Sequence, residues 1–350
     1  MATNRMLCKG WVSVLALTTL LFLAGIVLLP GLGPTYAEDR AEVQPDVGSA
    51  ASAQTREATG GTWTSGAAEP TPVVGGAAAV LKNEIYVVGG LSASGVVSGV
   101  QIYNPTLNTW STGASYPSSV MLASSAVVKN VLYVFGGTPD NQNASNAVSA
   151  YSPTTRKWTA KAAMPTARWG TSAVVANNIV YVIGGYNGSE FVATVESYNP
   201  AKDTWTEEAP MLVAKDGSAA GLFGSAGAGY TIVVADGAIN GGGVTGDNEA
   251  YDPATNSWTA LASDPNTRAW GCSGTIGTDL YAVGDYSGGG AGTTNESFSL
   301  SADKWTTTLA PIPQGTAFPA SAVFKKRLYC IGGWGGNGGP FLDNVQIYQP

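Results

Sequence analysis

Six tryptophans recur at an almost constant spacing along this chain, and that spacing is the strongest constraint on its fold. They are Trp63, Trp110, Trp158, Trp205, Trp258 and Trp305, separated by 47, 48, 47, 53 and 47 residues. A period near fifty residues is typical of propellers and solenoids, in which each repeat buries its apolar face against its neighbours. The chain is therefore predicted to be built from one repeated unit.

Each repeat carries two further marks in a fixed phase. An aromatic residue stands seven positions before five of the tryptophans and recurs near the chain end, at Tyr103, Tyr151, Tyr198, Tyr251, Phe298 and Tyr348. Glycine doublets end the preceding apolar runs at Gly89-Gly90, Gly136-Gly137, Gly184-Gly185 and Gly332-Gly333, with Asp236-Gly237 and Gly284-Asp285 in the two other repeats. Short runs rich in Val, Ile, Tyr and Thr, bounded by Gly and Pro, predict four antiparallel strands per repeat.

The doublet, the tyrosine and the tryptophan seven residues later resemble the kelch motif over about residues 61–350. This resemblance implies an all-β fold, a six-bladed kelch β-propeller. Trp63 has no doublet or tyrosine before it, and the last repeat ends before any tryptophan. We therefore predict that the N-terminal strand around Trp63 closes the last blade, which removes an exposed sheet edge.

The two ends of such a blade are predicted to carry different segments. In an up-and-down blade, the turn between the first and second strands shares one end with the Asn-Pro turn between the third and fourth. The loops after the doublets and the links between blades share the other end. The 53-residue gap indicates an insertion in the fourth repeat. Its glycine-rich residues 224–229 assign the insertion to the first of these ends.

The segment before the repeats is predicted to direct export. Arg5 and Lys9 precede an uncharged stretch, residues 11–29, and small residues around Ala37 suit a signal peptidase. The stretch is also long enough to cross a bilayer. Residues 1–37 are thus predicted to be a signal peptide or an N-terminal membrane anchor, with residues 11–29 as the candidate membrane attachment. Residues 38–60 are predicted to be a disordered linker, and residues 61–350 an exported propeller that is extracellular, periplasmic or membrane-anchored and faces outward.

The composition excludes several kinds of site. Histidine is absent, which excludes a Ser-His-Asp triad and His-ligated zinc or copper. We predict no metal and no cofactor. The net charge is −7 and no cluster of Lys and Arg is evident in the sequence, so nucleic acid is not an expected partner. Cys272 and Cys330 align with core strand positions, which favours unpaired apolar packing, although an exported chain would also permit a disulfide.

The candidate ligand-binding residues lie after the doublets and in the links between blades. They are Arg168, Trp169, Tyr186, Arg268, Trp270, Tyr286 and Trp334. The kelch resemblance implies that these positions surround the mouth of the central channel. Two arginines, each three residues after a proline, together with several aromatic rings would suit an anionic or sugar-like ligand. The alternative is structural, with the arginines pairing to blade backbone and Trp169 and Trp270 packing between blades.

Carboxylates give a weaker functional signal. Glu196, Glu249 and Glu296 each stand two residues before the blade aromatic, and this shared phase indicates a structural or surface role. Glu190 lies outside the repeat phase, so it is the one carboxylate that we consider as a catalytic base, with Arg168 as its partner.

Two functions of different classes follow. The first is a non-catalytic extracytoplasmic binding module that presents its loops to a cell-surface glycan or a protein partner. The alternative is an enzyme similar to the sialic acid mutarotases, a sugar epimerase that uses a carboxylate and an arginine without metal. The candidates for those two roles are Glu190 and Arg168.

Overall fold

A computed structural model describes residues 60–287, 290–336 and 339–350. The predicted leader, residues 1–37, and the linker as far as residue 59 lie outside the described residues. The described part is all-β and is divided into six blades. Within it, no helix has the length and apolar character needed to cross a membrane.

Each blade is an antiparallel meander. Blade 1 contains Ala77–Leu81, Glu84–Val88, Val100–Asn104 and Thr109–Thr112, with a small ribbon of Leu91–Ser92 and Gly95–Val96; blade 2 contains Ser124–Val128, Val131–Phe135, Val148–Ser152 and Lys157–Ala160; blade 3 contains Ser172–Ala176, Ile179–Ile183, Val195–Asn199 and Thr204–Glu208; blade 4 contains Lys215–Asp216, Ala219–Ser225, Gly229–Ile239, Val244–Asp252 and Ser257–Leu261; blade 5 contains Cys272–Ile276, Asp279–Ser287, Gly290–Ser299 and Lys304–Thr306; blade 6 contains Ala320–Phe324, Arg327–Ile331, Val345–Gln349 and Thr62–Gly66. The long first strands of neighbouring blades contact one another around the whole circle, so these six strands surround the central axis.

The N-terminal strand closes the circle, as predicted. Thr62–Gly66 is the outer strand of blade 6 and pairs antiparallel with Val345–Gln349. Trp63 lies opposite Tyr348 in this pairing, and their ring centroids are 5.0 Å apart. The first and last strands of the propeller in chain order therefore lie in one sheet.

The tryptophan period has a direct physical cause. In every blade the indole Nε1 donates a hydrogen bond to the backbone carbonyl of an alanine in the segment that follows the preceding blade. The six acceptors, in chain order of the alanines, are Ala67, Ala114, Ala162, Ala209, Ala262 and Ala310. Each tryptophan also packs on the blade aromatic opposite it, as Trp110 does on Tyr103 at 5.0 Å. One residue per repeat thus joins a blade to its neighbour.

The propeller has two distinct ends. We call the end with the first-to-second and third-to-fourth strand turns the turn face, and the end with the post-doublet loops and interblade links the loop face. On the turn face, blade 4 has a longer first hairpin, which continues to the pair Ser225 and Gly229. This confirms the predicted position of the insertion.

The two cysteines are bonded, so the prediction of unpaired packing was wrong. Cys272 of blade 5 and Cys330 of blade 6 form a disulfide with a Cα–Cα separation of 5.7 Å. Both residues are buried, as their repeat phase indicated. That phase assigns each residue to a core strand, but it does not reveal that the first strand of one blade faces the second strand of the next at this height. The disulfide links the last two blades.

Loss of this disulfide is expected to lower stability markedly. The cysteines are 58 residues apart, and the entropy of a closed loop of that length corresponds to about 4 kcal/mol of unfolding free energy. We expect dithiothreitol to shift the guanidinium midpoint of the natural chain downward. The double variant Cys272→Ala, Cys330→Ala should already have the lower midpoint and should not respond to reductant. Equal midpoints for the natural chain with and without reductant, after thiol titration has verified reduction, would contradict this expectation.

Candidate functional site

The loop face carries a cluster of half-buried aromatic rings, which we call the aromatic cluster: Trp270, Tyr286, Phe318, Trp334 and Phe341. Trp270 stacks on Phe318 with centroids 5.1 Å apart. Tyr286 lies 5.8 Å from each of those two rings and 5.9 Å from Trp334. Trp334 and Phe341 face each other across a backbone bridge. Blades 5 and 6 therefore share one continuous aromatic surface.

A buried aliphatic group from blades 1 and 2 packs against this cluster. Val74, Leu91 and Met121 form a buried apolar group, and Leu122, Phe318 and Trp334 pack against it. A cleft of about 460 Å³ adjoins it on blade 1 and is lined by Thr71, Val96, Val97, Ser98, Gly99, Gln101, Ser119 and Gly89. The aromatic cluster and the cleft together offer an extended, mostly uncharged surface.

Beneath this surface, a closed ring of six backbone hydrogen bonds encircles the axis. Its members, one just before the inner long strand of each blade, are Gly75, Leu122, Gly170, Gly217, Trp270 and Phe318, and every N–H donates to the carbonyl of the adjacent member of the ring at 2.7–3.0 Å. All six have positive φ, between 54° and 68°. The side chain of Leu122 lies over Gly75, and that of Trp270 lies over Gly217. The segments that precede the inner strands of the six blades are therefore joined directly to one another around the axis.

The predicted residues Trp169 and Tyr186 form a separate pair on blade 3. Their ring centroids are 4.9 Å apart, and Tyr186 also packs on Phe191 at 5.5 Å. Trp169 is 8% exposed and Tyr186 is 5% exposed. They are thus more deeply buried than the aromatic cluster, and the ring that packs on Trp169 belongs to the same blade.

Arg168 points into blade 3. Its side chain is fully buried, and Nη2 lies 2.8 Å from Glu196 Oε2. Nη1 donates to the carbonyls of Gly184 at 2.6 Å and Thr194 at 3.0 Å. Burial lowers the pKa of Arg168, while Glu196 opposes that shift. The guanidinium group therefore has a structural role, and ligand binding by Arg168 is a prediction without support from these contacts.

The same buried pair recurs in blades 4 and 5. Lys215 Nζ lies 3.1 Å from Glu249 Oε1, and Arg268 pairs with Glu296. In the other three blades both positions are uncharged, as Val73 with Gln101, Val120 with Ser149, and Thr316 with Gln346. Charge thus occurs at both positions or at neither. Sequence analysis missed Lys215 because it lies five residues after Pro210 and not three.

Arg268 has extra acidic neighbours that Arg168 lacks. Its Nη2 lies 3.2 Å from Asp264 Oδ2, and its Nε lies 3.7 Å from Asp236 Oδ2. Burial, and then the nearby Asp264, raise the pKa of Asp236 well above its usual value. Asp236 replaces the first glycine of a doublet, so the broken motif was the signal for this network. The Arg268 guanidinium is buried, and the cavity of about 10 Å³ beside it has room for about one water molecule.

Asp216 is a second buried acid that sequence analysis missed. It is 1% exposed, and its Oδ1 accepts a hydrogen bond from Trp270 Nε1 at 3.2 Å. Burial raises its pKa well above the usual value. Asp216 thus anchors one ring of the aromatic cluster from beneath. Phe318 and Phe341 were also missed, although Phe318 shares the repeat phase of Trp270.

Glu190 and Arg168 do not form a catalytic pair in this structure. Glu190 is exposed in a tight turn in which its N–H donates to Asn187 Oδ1 at 3.0 Å, whereas the Arg168 guanidinium is held by Glu196. Among the residues that the structure describes, no three acidic or cysteine side chains are grouped so that they could hold a metal ion.

Glu69 lies in the seam between blades 6 and 1, near the cleft. Its N–H donates to the carbonyl of Asp343 at 2.6 Å. Its Oε1 accepts from Gln101 Nε2 at 2.9 Å, and its Oε2 accepts from the Val73 N–H at 3.3 Å. Burial raises the pKa of Glu69 from 4.5 to about 8, and the Asp343 charge adds to the shift. The seam therefore contains an acid that titrates near neutrality.

The raised pKa of Glu69 predicts that the protein loses stability as the pH rises from about 4.5 to about 8. The pKa of Glu69 is higher in the folded state than in the unfolded state. The contribution of protonated Glu69 to the free energy of unfolding is therefore complete below about pH 4.5 and is lost as the pH rises to about 8. The unfolding free energy should fall by up to about 1.4 kcal/mol per pH unit in that window. Urea denaturation across it should show a smaller fall for Glu69→Gln. An identical fall in that variant and the natural chain would contradict the assignment.

The comparisons with known proteins agree with this architecture. The model of the KLHDC2/KLHL20/DRC7 kelch-repeats domain matches residues 112–285. The kelch motif matches residues 72–115 and 315–350. The chain belongs to the kelch-repeat family.

Among solved structures, that of YjhT is similar to this chain. The TM-score is 0.68 at 19% identity, with 81% of this chain and 99% of the YjhT chain covered. At this identity the likeness shows the fold alone. No curated protein matches the sequence.

Proposed function

We propose that this protein is a non-catalytic binding module whose loop face binds a glycan. The observation that carries the proposal is the aromatic cluster, in which five rings from blades 5 and 6 are each partly exposed on one surface. Contiguous apolar surface of this kind on a folded domain marks interaction sites. Tryptophan and tyrosine suit such sites because a large ring is combined with a polar group.

Charge and shape favour a sugar of low net charge. The loop face presents Asp140, Glu190 and Asp343 as exposed acids, and no lysine or arginine of the described chain is exposed there. Anionic sugars would therefore meet repulsion, since Arg168 and Arg268 are buried against carboxylates. The C–H face of a neutral sugar ring can pack on the aromatic rings. The adjoining cleft gives room for a second residue of an oligosaccharide.

The glycan proposal is tested by binding of the full chain to a glycan array, followed by calorimetric titration with the best oligosaccharide. Trp334→Ala and Tyr286→Ala should each weaken binding at least about tenfold, as for aromatic anchors at other interfaces. Leu107→Ala is the control, because Leu107 is 69% exposed on the turn face. Its affinity should not change. Absence of binding to any glycan, or full affinity in both aromatic variants, would refute the proposal; a protein ligand for the same face would then replace it.

The alternative function is that of an exported, mutarotase-like enzyme. Its two candidate residues are not paired with each other in this structure, because the Arg168 guanidinium is paired with Glu196. Exchange spectroscopy on acidic sugars should show no acceleration of anomer exchange by the full chain. Acceleration that Glu190→Gln abolishes would support the enzyme and contradict the binding module. Export itself rests on the predicted leader, and we propose it on that ground.

A further inference from the structure

A basic patch lies on the turn face, although the whole chain is acidic. The turns of blades 6, 1 and 2 carry seven cations, Lys82, Lys129, Arg156, Lys157, Lys325, Lys326 and Arg327, and all seven are exposed. Among the described residues, Glu84 is the one acidic side chain in these turns. Seven cationic side chains and one acidic side chain give these turns a local side-chain charge of +6. The turns of blades 3, 4 and 5 carry Lys202 and Lys304 against Asp203, Asp252, Asp279 and Asp303, which gives −2.

The patch follows from the repeat geometry. Lys82, Lys129 and Lys325 occupy the same position in the first-to-second strand turns of three adjacent blades. Because the first strands surround the axis, these turns lie near the centre of the turn face. Within the described residues, none of the seven cations forms an ion pair within 4.0 Å. The sequence-based view that the chain has no basic cluster is wrong for the folded molecule, because the cations come from separate repeats.

The chain joins the propeller on this same face. The Gly60 carbonyl accepts a hydrogen bond from Tyr348 Oη at 2.6 Å. Thr62, two residues later, pairs with Gln349, at the turn-face end of the third strand of blade 6. Gly60, the first described residue, therefore lies at blade 6 on the turn face. The aromatic cluster is on the opposite end.

We propose that the turn face of blades 6, 1 and 2 docks on an anionic phospholipid surface. Each lysine or arginine near such a surface contributes about 1 kcal/mol, and a basic patch adds to the membrane binding that an apolar attachment provides. The attraction decays within a Debye length, about 8 Å at physiological salt. Docking in this orientation directs the loop face away from the membrane. This surface is independent of the glycan proposal.

The test is sedimentation of the purified full chain with lipid vesicles. Vesicles of phosphatidylcholine alone measure attachment through the leader, and vesicles that also contain phosphatidylglycerol add the charge contribution. The double variant Lys325→Gln, Lys326→Gln should lose roughly thirtyfold of the affinity for anionic vesicles. The matched control is Lys202→Gln, Lys304→Gln, which removes two exposed lysines from the same face next to Asp203 and Asp303.

We expect a clear preference for anionic vesicles, its loss at high salt, and near-natural binding by the control. Equal binding to both kinds of vesicle overturns the proposal. An equal loss in both double variants also overturns it, because the effect would then be net charge and not the patch. Binding to polyphosphate without any preference for anionic vesicles would reassign the patch to an anionic polymer.

Discussion

Deletion of residues 1–66 is expected to open the propeller, whereas deletion of residues 1–59 is expected to leave it closed. The longer deletion removes Thr62–Gly66 and its backbone ladder to Val345–Gln349. At about 1 kcal/mol for each lost hydrogen bond, removal of the strand costs roughly 5 kcal/mol. It also leaves an unpaired edge, which is a template for pairing with a second chain.

The two deletions differ by seven residues, so their comparison isolates closure from any effect of the leader. Differential scanning calorimetry should give one cooperative transition for the shorter deletion. The longer deletion should unfold at a much lower temperature, and light scattering should detect self-association. Matching transition temperatures and monomeric behaviour for both proteins would show that the Trp63 strand does not close the ring.

Replacement of Arg168 by valine is expected to cost about 3–5 kcal/mol, because Glu196 is left as an unpaired buried charge. The double variant Arg168→Val, Glu196→Gln should recover most of that loss. It places in blade 3 the side chains that blade 1 has at the same positions, Val73 and Gln101. The chain itself therefore supplies a folded example of the uncharged pair.

Guanidinium unfolding of the two single variants and the double variant forms a thermodynamic cycle. A double variant that is no more stable than Arg168→Val would contradict the paired-charge account. It would indicate that Arg168 acts mainly through the carbonyls of Gly184 and Thr194, to which Nη1 also donates. Loss of glycan binding in a folded Arg168→Val variant would return Arg168 to the candidate ligand residues.

The architecture was predictable because its determinants are local and repeated. A tryptophan, the aromatic opposite it and the alanine carbonyl that accepts its hydrogen bond recur with one spacing, so the sequence displays them in phase. Closure by Trp63 followed from the same pattern, since a tryptophan was missing from the last repeat. The longer hairpin of blade 4 was visible as one extended gap.

The site was less predictable because it depends on contacts between residues that are distant in sequence. The positions of the post-doublet loops and interblade links identified Trp270, Tyr286 and Trp334. They did not show that Phe318 and Phe341 pack with these rings. Repeat phase also cannot show that a guanidinium turns inward toward a glutamate 28 residues away, as Arg168 does. The disulfide and the basic patch were missed for the same reason, since each joins positions from different blades.

The central claim is that the aromatic cluster on the loop face is the ligand-binding surface. Hydrogen–deuterium exchange of the full chain, with and without the best-binding oligosaccharide, tests it most directly. We expect the oligosaccharide to slow backbone exchange around Trp270, Tyr286 and Phe341. It should leave exchange unchanged at the turn formed by Lys82 and Asn83. Protection confined to the turn face, with unchanged exchange around those three aromatic residues, would contradict it.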